Sequence, residues 1–226
     1  MKNLYIVLFV SMLPLLWYAC SNKDNEVTPV VKSVVNGTMT DARDGYVYHW
    51  VRYNGLDWTV ENSHYNTNDD NCSIYTLSSN NYVDPAQLKK YGYLYTLAGA
   101  LEAAPKGWRV PTDKDWKTLE KALGMTDKEA NALNWRGSYE ATLMKQDSTG
   151  TDLNFLCGGY RTVITSSSFL FRLMNDYGFY WTSTRDTTKS DGMIFYRKIF
   201  YNSPKVFRYS TTCNNMFSVR FVRDAQ

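Results

Sequence analysis

Patterns typical of strands occupy both ends of this chain, whereas helical patterns are confined to its middle. Near the N-terminus, short β-rich runs alternate with the dipeptides Asn36-Gly37, Asp44-Gly45 and Asn54-Gly55. These dipeptides tolerate the positive φ angles that hairpin turns require. We predict strands at three places, near residues 36–41, 46–53 and 56–60. Strands at both ends with helices between them favour an α+β domain.

The middle of the chain predicts two to three helices. One is expected from about residue 94 to residue 103, where an alanine-rich stretch ends before a proline. Thr112 and Thr126 each precede an acidic residue by three positions, which is the capping pattern that begins a helix. We therefore expect a helix directly after each of these threonines.

The second half of the chain returns to β-rich sequence. Aromatic and β-branched runs such as "FYWTSTR" and "GMIFYRKIFY" are bounded by Gly, Asn, Asp and Ser. In the last run, residues 217–223, apolar residues alternate with Ser218 and Arg220. We expect this strand to pair antiparallel with the N-terminal strands and to close the domain.

The N-terminus has the form of an export signal. Lys2 precedes a short apolar run that is broken by Pro14 and is too short to span a bilayer, and Ala19 stands directly before Cys20. This pattern resembles a lipoprotein signal over residues 1–19, with Cys20 as the lipidated residue and residues 20–33 as the lipidated N-terminus and tether. An ordinary secretory signal with an incidental cysteine is the alternative, since Trp17 stands where lipoprotein signals prefer leucine.

The charge and composition of the chain indicate which classes of partner it can bind. The chain has 25 basic and 22 acidic residues, and Lys2 is lost with the predicted signal. A balance so close to neutral gives no electrostatic reason to bind nucleic acid. The 18 Tyr, 10 Phe and 7 Trp suit half-buried strands and also sugar-binding surfaces.

Six segments resemble, in order, the Fibrobacter succinogenes major paralogous domain family. They are "GTMTDARDGYVYHWVRYNGLDWTVEN", "YGYLYTLAGA", "PKGWRVPTDKDW", "FLCGGYR", "YGFYWTSTR" and "FSVRFVRD". The resemblance covers about residues 34–226 and implies a single C-type lectin-like domain, a fold that the formylglycine-generating enzymes share. It also implies an exported lipoprotein of the kind found in Bacteroidetes. The charged residues after Cys20 resemble the signal that sends such lipoproteins to the outer membrane, facing the cell exterior.

The sequence departs from this family at two cysteine positions. Family members commonly have cysteines where this chain has Ala104 and Phe221. Of the three cysteines other than Cys20, at least one is left unpaired within the chain. We expect Cys157 and Cys213 to form a substitute disulfide, because both lie in strand-like segments of the second half.

No catalytic constellation is visible in the sequence, so we expect a protein that is not an enzyme and has no cofactor. The paired cysteines of a formylglycine-generating enzyme have no counterpart, and neither of the two histidines has metal-ligand spacing. The run "NTNDDN" at residues 66–71 loosely resembles a calcium loop but lacks its glycine and closing glutamate. We interpret it as a solvated turn and predict no metal site.

The expected function is calcium-independent binding, without catalysis, of a glycan or of another surface protein. Aromatic rings stack on sugars and arginine donates to hydroxyl and carboxylate groups, which gives the candidate contacts Tyr160, Arg161, Tyr180, Trp181 and Arg185. The alternative interpretation of Trp181 is a core residue. The alternative function is a structural or adhesion subunit, and an enzyme of the formylglycine-generating or glycoside-acting kind is the least favoured.

Overall fold

The computed structural model describes residue 33 and residues 35–76, 84–145, 151–165, 168–189 and 192–226. The predicted signal, Cys20 and the rest of the predicted tether up to residue 32 lie outside this part of the chain. Ser33 is buried, and its hydroxyl donates to the backbone oxygens of Val35 and Arg52. Within the described residues, no helix combines the length and apolar character needed to cross a bilayer.

The described residues form thirteen strands and five helices. The strands are β1 Asn36–Thr40, β2 Val47–Tyr53, β3 Leu56–Thr59, β4 Cys72–Ser73, β5 Leu94–Tyr95, β6 Asn134–Arg136, β7 Gly158–Thr165, β8 Ser168–Met174, β9 Tyr177–Arg185, β10 Ile194–Phe200, β11 Val206–Thr211, β12 Asn215–Met216 and β13 Val222–Asp224. The helices are α1 Pro85–Tyr91, α2 Leu97–Glu102, α3 Asp113–Ala122, α4 Asp127–Asn131 and α5 Glu140–Met144. Strands hold 40% of the described residues and helices 19%, so the architecture is mixed and sheet-rich, compatible with the α+β class.

The first sheet joins the two ends of the domain in the order β1-β2-β3-β13. Asn54 and Gly55 both have positive φ and turn β2 into β3, as predicted. Val222 of β13 lies antiparallel opposite Trp58, which confirms the expected pairing of the C-terminal strand with the N-terminal strands. Asn36-Gly37, in contrast, is not a turn but part of β1, where a Cβ on Gly37 would lie 2.6 Å from the indole of Trp50.

The second sheet has the order β12-β7-β9-β10-β11-β6, and β8 adds to β7 as a hairpin partner. Its neighbours are antiparallel except β7 and β9, which meet in parallel at Gly159 and Gly178. A short third sheet pairs β4 with β5. Because Leu94 and Tyr95 join this sheet, the first expected helix begins later than predicted, at Leu97.

Two of the predicted helices begin as the caps indicate. The Thr112 hydroxyl accepts from Asp115 N and the Thr126 hydroxyl accepts from Glu129 N, and both form complete capping boxes. The prediction of two to three helices was too low, because the short helices α1 and α5 were missed. The signal for α1 was present, since Asp84 caps it and Pro85 occupies its first turn.

Two aromatic cores hold the sheets and helices together. In the first, Trp116 of α3 packs between Trp58 and Phe155, with ring centroids 5.1 and 5.2 Å away. In the second, Trp181 packs on Phe217 at 4.4 Å. Phe221 is fully buried in this second core, and Ala104 packs against the same cluster, so apolar contact occupies the place of the family's cysteines.

The C-terminal segment before β13 runs between these cores and is buried on both sides. The Arg220 side chain is 0% exposed and donates to the Asn62 side chain and to the backbone oxygens of Thr59 and Leu153. The predicted strand over 217–223 is therefore shorter than expected, because residues before Val222 bond to several elements instead of one neighbouring strand.

Candidate functional site

Tyr180 and Trp181 were predicted to contact ligand, and the structure contradicts this because both side chains are 0% exposed. The Tyr180 hydroxyl donates to the backbone oxygen of Leu156 at 2.6 Å, and burial raises the pKa of this phenol to about 12. The Trp181 indole donates to the backbone oxygen of Tyr95 at 2.7 Å. Both residues are core residues, as the alternative interpretation of Trp181 held.

Arg185 is exposed, but it lies apart from the other candidates. It is the last residue of β9 and pairs with Ile194 of β10, on the side of β9 opposite β7. Arg161 pairs with Met216 of β12 and lines a cavity that Arg185 does not border. The structure therefore does not bring Arg185 together with Arg161.

Arg161 and Tyr160 point to opposite sides of β7. Tyr160 is half-buried, and its ring lies 4.6 Å from that of Phe179 on the sheet. Arg161 lies opposite Phe171 of β8, and Val163 lies opposite Phe169. Because directly opposite residues share a face of the hairpin, Arg161 and the two phenylalanines face the same side.

That side of the β7–β8 hairpin forms one wall of a cleft. A cavity of about 460 Å³ is lined by Arg161, Phe169, Asp70 and Asn214 among other residues. A second cavity of about 350 Å³ lies on the other side of Phe169 and reaches Asn66 and Tyr93. Phe169 is 41% exposed and stands between the two cavities. We name these two cavities together the hairpin cleft.

The guanidinium group of Arg161 stacks on an aromatic ring in the hairpin cleft and forms no ion pair with a described residue. Its guanidinium carbon lies 3.8 Å from the centroid of the Phe169 ring, and Nη1 contacts Met216 Sδ at 3.0 Å. Among the described residues, no carboxylate pairs with Arg161, and its buried Nε has no hydrogen-bond partner. An arginine oriented in this way has free donors for carboxylate or hydroxyl oxygens.

The sequence prediction missed the other members of the hairpin cleft. Phe169 belongs to "SFLFRLM", whose aromatic and aliphatic residues indicate a strand but not an open cavity. Asp70 and Asn214 come from loops distant in sequence. The sequence offered no signal for Phe169, because its exposure and its place on a strand that pairs only with β7 are seen only in the structure.

Two side chains of the loop over residues 66–71 accept hydrogen bonds from other residues of the same loop. The Asn66 side chain accepts from Asn68 N, and the Asp69 carboxylate accepts from Thr67 and Asn71. In the described residues, no group of three or more His, Cys, Asp or Glu side chains is placed to hold a metal ion.

The predicted Cys157–Cys213 disulfide is wrong in this structure, in which Cys72, Cys157 and Cys213 are free thiols. Cys157 directly precedes β7, whereas Cys213 lies just before Asn215, which pairs with Thr162 near the far end of β7. The two thiols are thus roughly 20 Å apart along the strand, whereas a disulfide needs Cα atoms within about 7 Å.

Helix α3 carries two buried carboxylates, Asp113 and Glu120. Arg197 bridges them, with Nη1 2.8 Å from Asp113 Oδ1 and Nε 2.7 Å from Glu120 Oε1. Arg208 also binds Asp113, and Arg136 also binds Glu120, each at 2.8 Å. We name these five residues the ion network.

The ion network keeps Asp113 ionised. Burial by itself raises the pKa of Asp113, but the hydrogen bonds and charges of Arg208 and Arg197 outweigh it and hold the pKa well below its usual value. Carboxylates that are fully paired in this way tie α3 to the sheet, which is a structural task.

Comparison with known proteins places the domain in a family. No curated protein and no solved structure matches the chain significantly. The model of the Fibrobacter succinogenes major domain matches residues 51–223, a span that includes the whole second sheet with its β7–β8 hairpin and part of the first sheet. The chain therefore belongs to the Fibrobacter succinogenes major domain family.

Proposed function

We propose that this chain is an exported, lipid-anchored protein that binds a glycan without calcium and without catalysis. The observation that carries the proposal is Arg161, which is stacked on Phe169 in a cavity of about 460 Å³ and has no carboxylate partner among the described residues. A concave site that combines an aromatic ring with a few polar groups is the usual form of a small-ligand site.

The chemistry of the hairpin cleft suits a sugar. Arg161 offers donors to hydroxyl or carboxylate oxygens, and Asp70 and Asn214 line the same cavity with acceptors. The exposed ring of Phe169 offers an apolar surface to the C–H face of a pyranose. Asn66 and Asp69 of the 66–71 loop already accept hydrogen bonds within the loop, which favours binding that needs no calcium.

The fold proposed for this function is C-type lectin-like. The family resemblance suggests it, and two features support it. The N- and C-terminal strands pair in one sheet, and the helices lie between them in sequence.

The proposed anchor is Cys20, whose lipid holds the chain in the outer membrane with the domain facing the cell exterior. Cys20→Ala should release the chain from the membrane fraction and remove the acyl mass from its N-terminal peptide. Membrane retention of this variant, with no acyl mass on the parent protein, contradicts the lipoprotein proposal.

A protein partner is the second candidate ligand. The β7–β8 hairpin exposes Val163, Ile164 and Leu170 at 44%, 54% and 42%. Clustered exposed aliphatic residues are typical of protein interaction surfaces. A structural or adhesion subunit would use this hairpin instead of the cleft beside it.

The test is binding of the full chain, purified in detergent, to a panel of glycans with and without EDTA. Arg161→Gln should reduce binding by about tenfold or more through the loss of a charged hydrogen bond, and Phe169→Ala should reduce it through the loss of the apolar ring. Arg185→Gln is the matched control, because Arg185 is exposed and lines neither cavity of the hairpin cleft. Binding that EDTA abolishes contradicts calcium independence, and no glycan binding at all favours the protein partner.

A further inference from the structure

A second surface, on the other side of β7, consists almost entirely of aromatic rings. Lys198 on β10 lies opposite Phe179 of β9 and Phe207 of β11, and Phe207 lies opposite Trp135 of β6. Opposite residues share a face of the sheet, so these side chains lie together, on the side away from α3. We name the following set the aromatic face: Trp135, Tyr160, Tyr177, Phe179, Tyr196, Lys198 and Phe207.

The rings of the aromatic face form one continuous row. Ring centroids are 4.6 Å apart from Tyr160 to Phe179, 6.2 Å from Phe179 to Tyr196, and 6.0 Å from Tyr196 to Phe207. Phe207 then lies 5.2 Å from Trp135. The row crosses five adjacent strands, β7, β9, β10, β11 and β6, which at about 4.8 Å per strand gives a length of roughly 19 Å.

Part of this row is open to solvent. Trp135 is 38% exposed, and Tyr209 beside Phe207 is 36% exposed. Phe179 is only 7% exposed, and the rings of Phe179 and Tyr196 lie 5.2 and 5.3 Å from Phe217 of the second core. The open part of the row therefore lies over β10, β11 and β6, where Tyr196 and Phe207 are half-buried. Neighbouring exposed aromatic residues are typical of a binding surface.

Lys198 sits within the row without an anionic partner. Its Nζ lies 4.1 Å from the ring centroid of Phe207, 5.2 Å from that of Trp135 and 5.4 Å from that of Tyr177. Among the described residues, no carboxylate lies within ion-pair distance of this ammonium and no hydrogen bond to it is formed. Burial lowers the pKa of Lys198, which means that the charged form pays a desolvation cost that an anionic ligand would offset.

Lys198 is the charged position within the row. Every position of β9, β10 and β11 that shares this face within residues 177–181, 196–200 and 207–209 is aromatic, except Lys198. Lys189 Nζ lies 3.5 Å from the centroid of Tyr209, but it is paired with Asp186 Oδ2 at 3.9 Å. Lys198 therefore supplies the charge with which the row complements an anionic ligand that presents flat apolar faces.

We propose that the aromatic face is a second binding surface, which takes an extended polysaccharide that carries carboxylate groups. Successive sugar rings lie on the row of aromatic rings, and one carboxylate pairs with Lys198. An extended chain fits because the open part of the row crosses three adjacent strands, and a carboxylate fits because Lys198 has no anionic partner among the described residues.

The experiment is retention of the full chain, in detergent and EDTA, on polygalacturonate, with methyl-esterified polygalacturonate and cellulose as comparison matrices. The parent protein should bind polygalacturonate, should bind less as salt rises, and should bind the esterified and neutral matrices at least about tenfold more weakly. Equal binding to all three, or none to polygalacturonate, overturns the proposal.

Variants then locate the surface. Lys198→Met should reduce binding about tenfold, Lys198→Arg should largely restore it, and Trp135→Ala should also weaken it. Lys128→Met is the matched control, because Lys128 is exposed on α4, away from the aromatic face. The assignment is contradicted if Lys198→Met binds polygalacturonate as well as the parent protein does, or if only Arg161→Gln loses this binding. If a variant does not fold, the comparison of the three matrices still tests the proposal.

Discussion

Arg197 and Lys198 are neighbours on β10, but they lie on opposite faces of the second sheet. The two faces differ in whether a carboxylate pairs with the positive charge. Arg197 is 0% exposed and binds two carboxylates of α3 within 2.8 Å. Lys198 faces the other way, where aromatic rings surround it and no carboxylate among the described residues pairs with it. The first cation is a structural group, whereas the second is available to a ligand.

Whether a buried cation is a structural group depends both on its burial and on its ion pairs. The five charged groups of the ion network can remain buried because each of them is hydrogen-bonded to a group of opposite charge. The cation of the aromatic face is only partly buried and keeps its donors free. Replacing residues on the two faces should therefore have opposite consequences for stability and for binding.

The largest effect is expected from Glu120→Gln. This change leaves Arg136 without a carboxylate and Arg197 with Asp113 alone, so buried positive charge is no longer balanced. We expect the free energy of unfolding to fall by about 3–5 kcal/mol. Urea unfolding measures the loss.

Glu102→Gln is the control for this change, because Glu102 is an exposed glutamate on α2. Its effect should stay within about 0.5 kcal/mol. A loss of less than about 1 kcal/mol in Glu120→Gln would show that the ion network contributes little to the domain.

Acid should weaken the ion-network face next. The pKa of folded Asp113 lies below its unfolded value of 3.8, so its contribution to stability is complete above about pH 4 and is lost as the pH falls further. We expect this group to account for roughly 2 kcal/mol of the free energy of unfolding lost between pH 5 and pH 2. Urea unfolding across this range tests it, and Asp113→Asn should flatten the profile. An unchanged profile in that variant would assign the acid sensitivity to other carboxylates.

The smallest effect on stability is expected from Lys198→Met. Methionine retains the apolar stem and removes a partly desolvated ammonium that has no anionic partner among the described residues. The free energy of unfolding should change by less than about 1 kcal/mol, as thermal or urea unfolding can show. A loss as large as that of Glu120→Gln would mean that Lys198 is a structural cation like Arg197, and the contrast between the two faces would fail.

Residue type alone did not reveal which aromatic residues are accessible. Tyr160, Tyr180 and Trp181 all lie in β-rich segments and were all candidates for ligand contact, with a core position as the alternative for Trp181. Tyr180 and Trp181 are enclosed by Phe155 and Phe217, which come from other parts of the chain, whereas Tyr160 remains half-exposed. Accessibility depends on what packs against a strand, and that packing involves residues far away in sequence.

The sequence by itself determined the features that local contacts control. The Asn54-Gly55 turn and the starts of α3 and α4 follow from φ preferences and from hydrogen bonds that span three residues. Only the tertiary structure decided that Arg161 opens into a cleft, that Arg197 joins an ion network and that Lys198 has no anionic partner among the described residues. Those outcomes depend on which face of a strand meets α3, loop 66–71 or solvent, and no window of neighbouring residues contains that information.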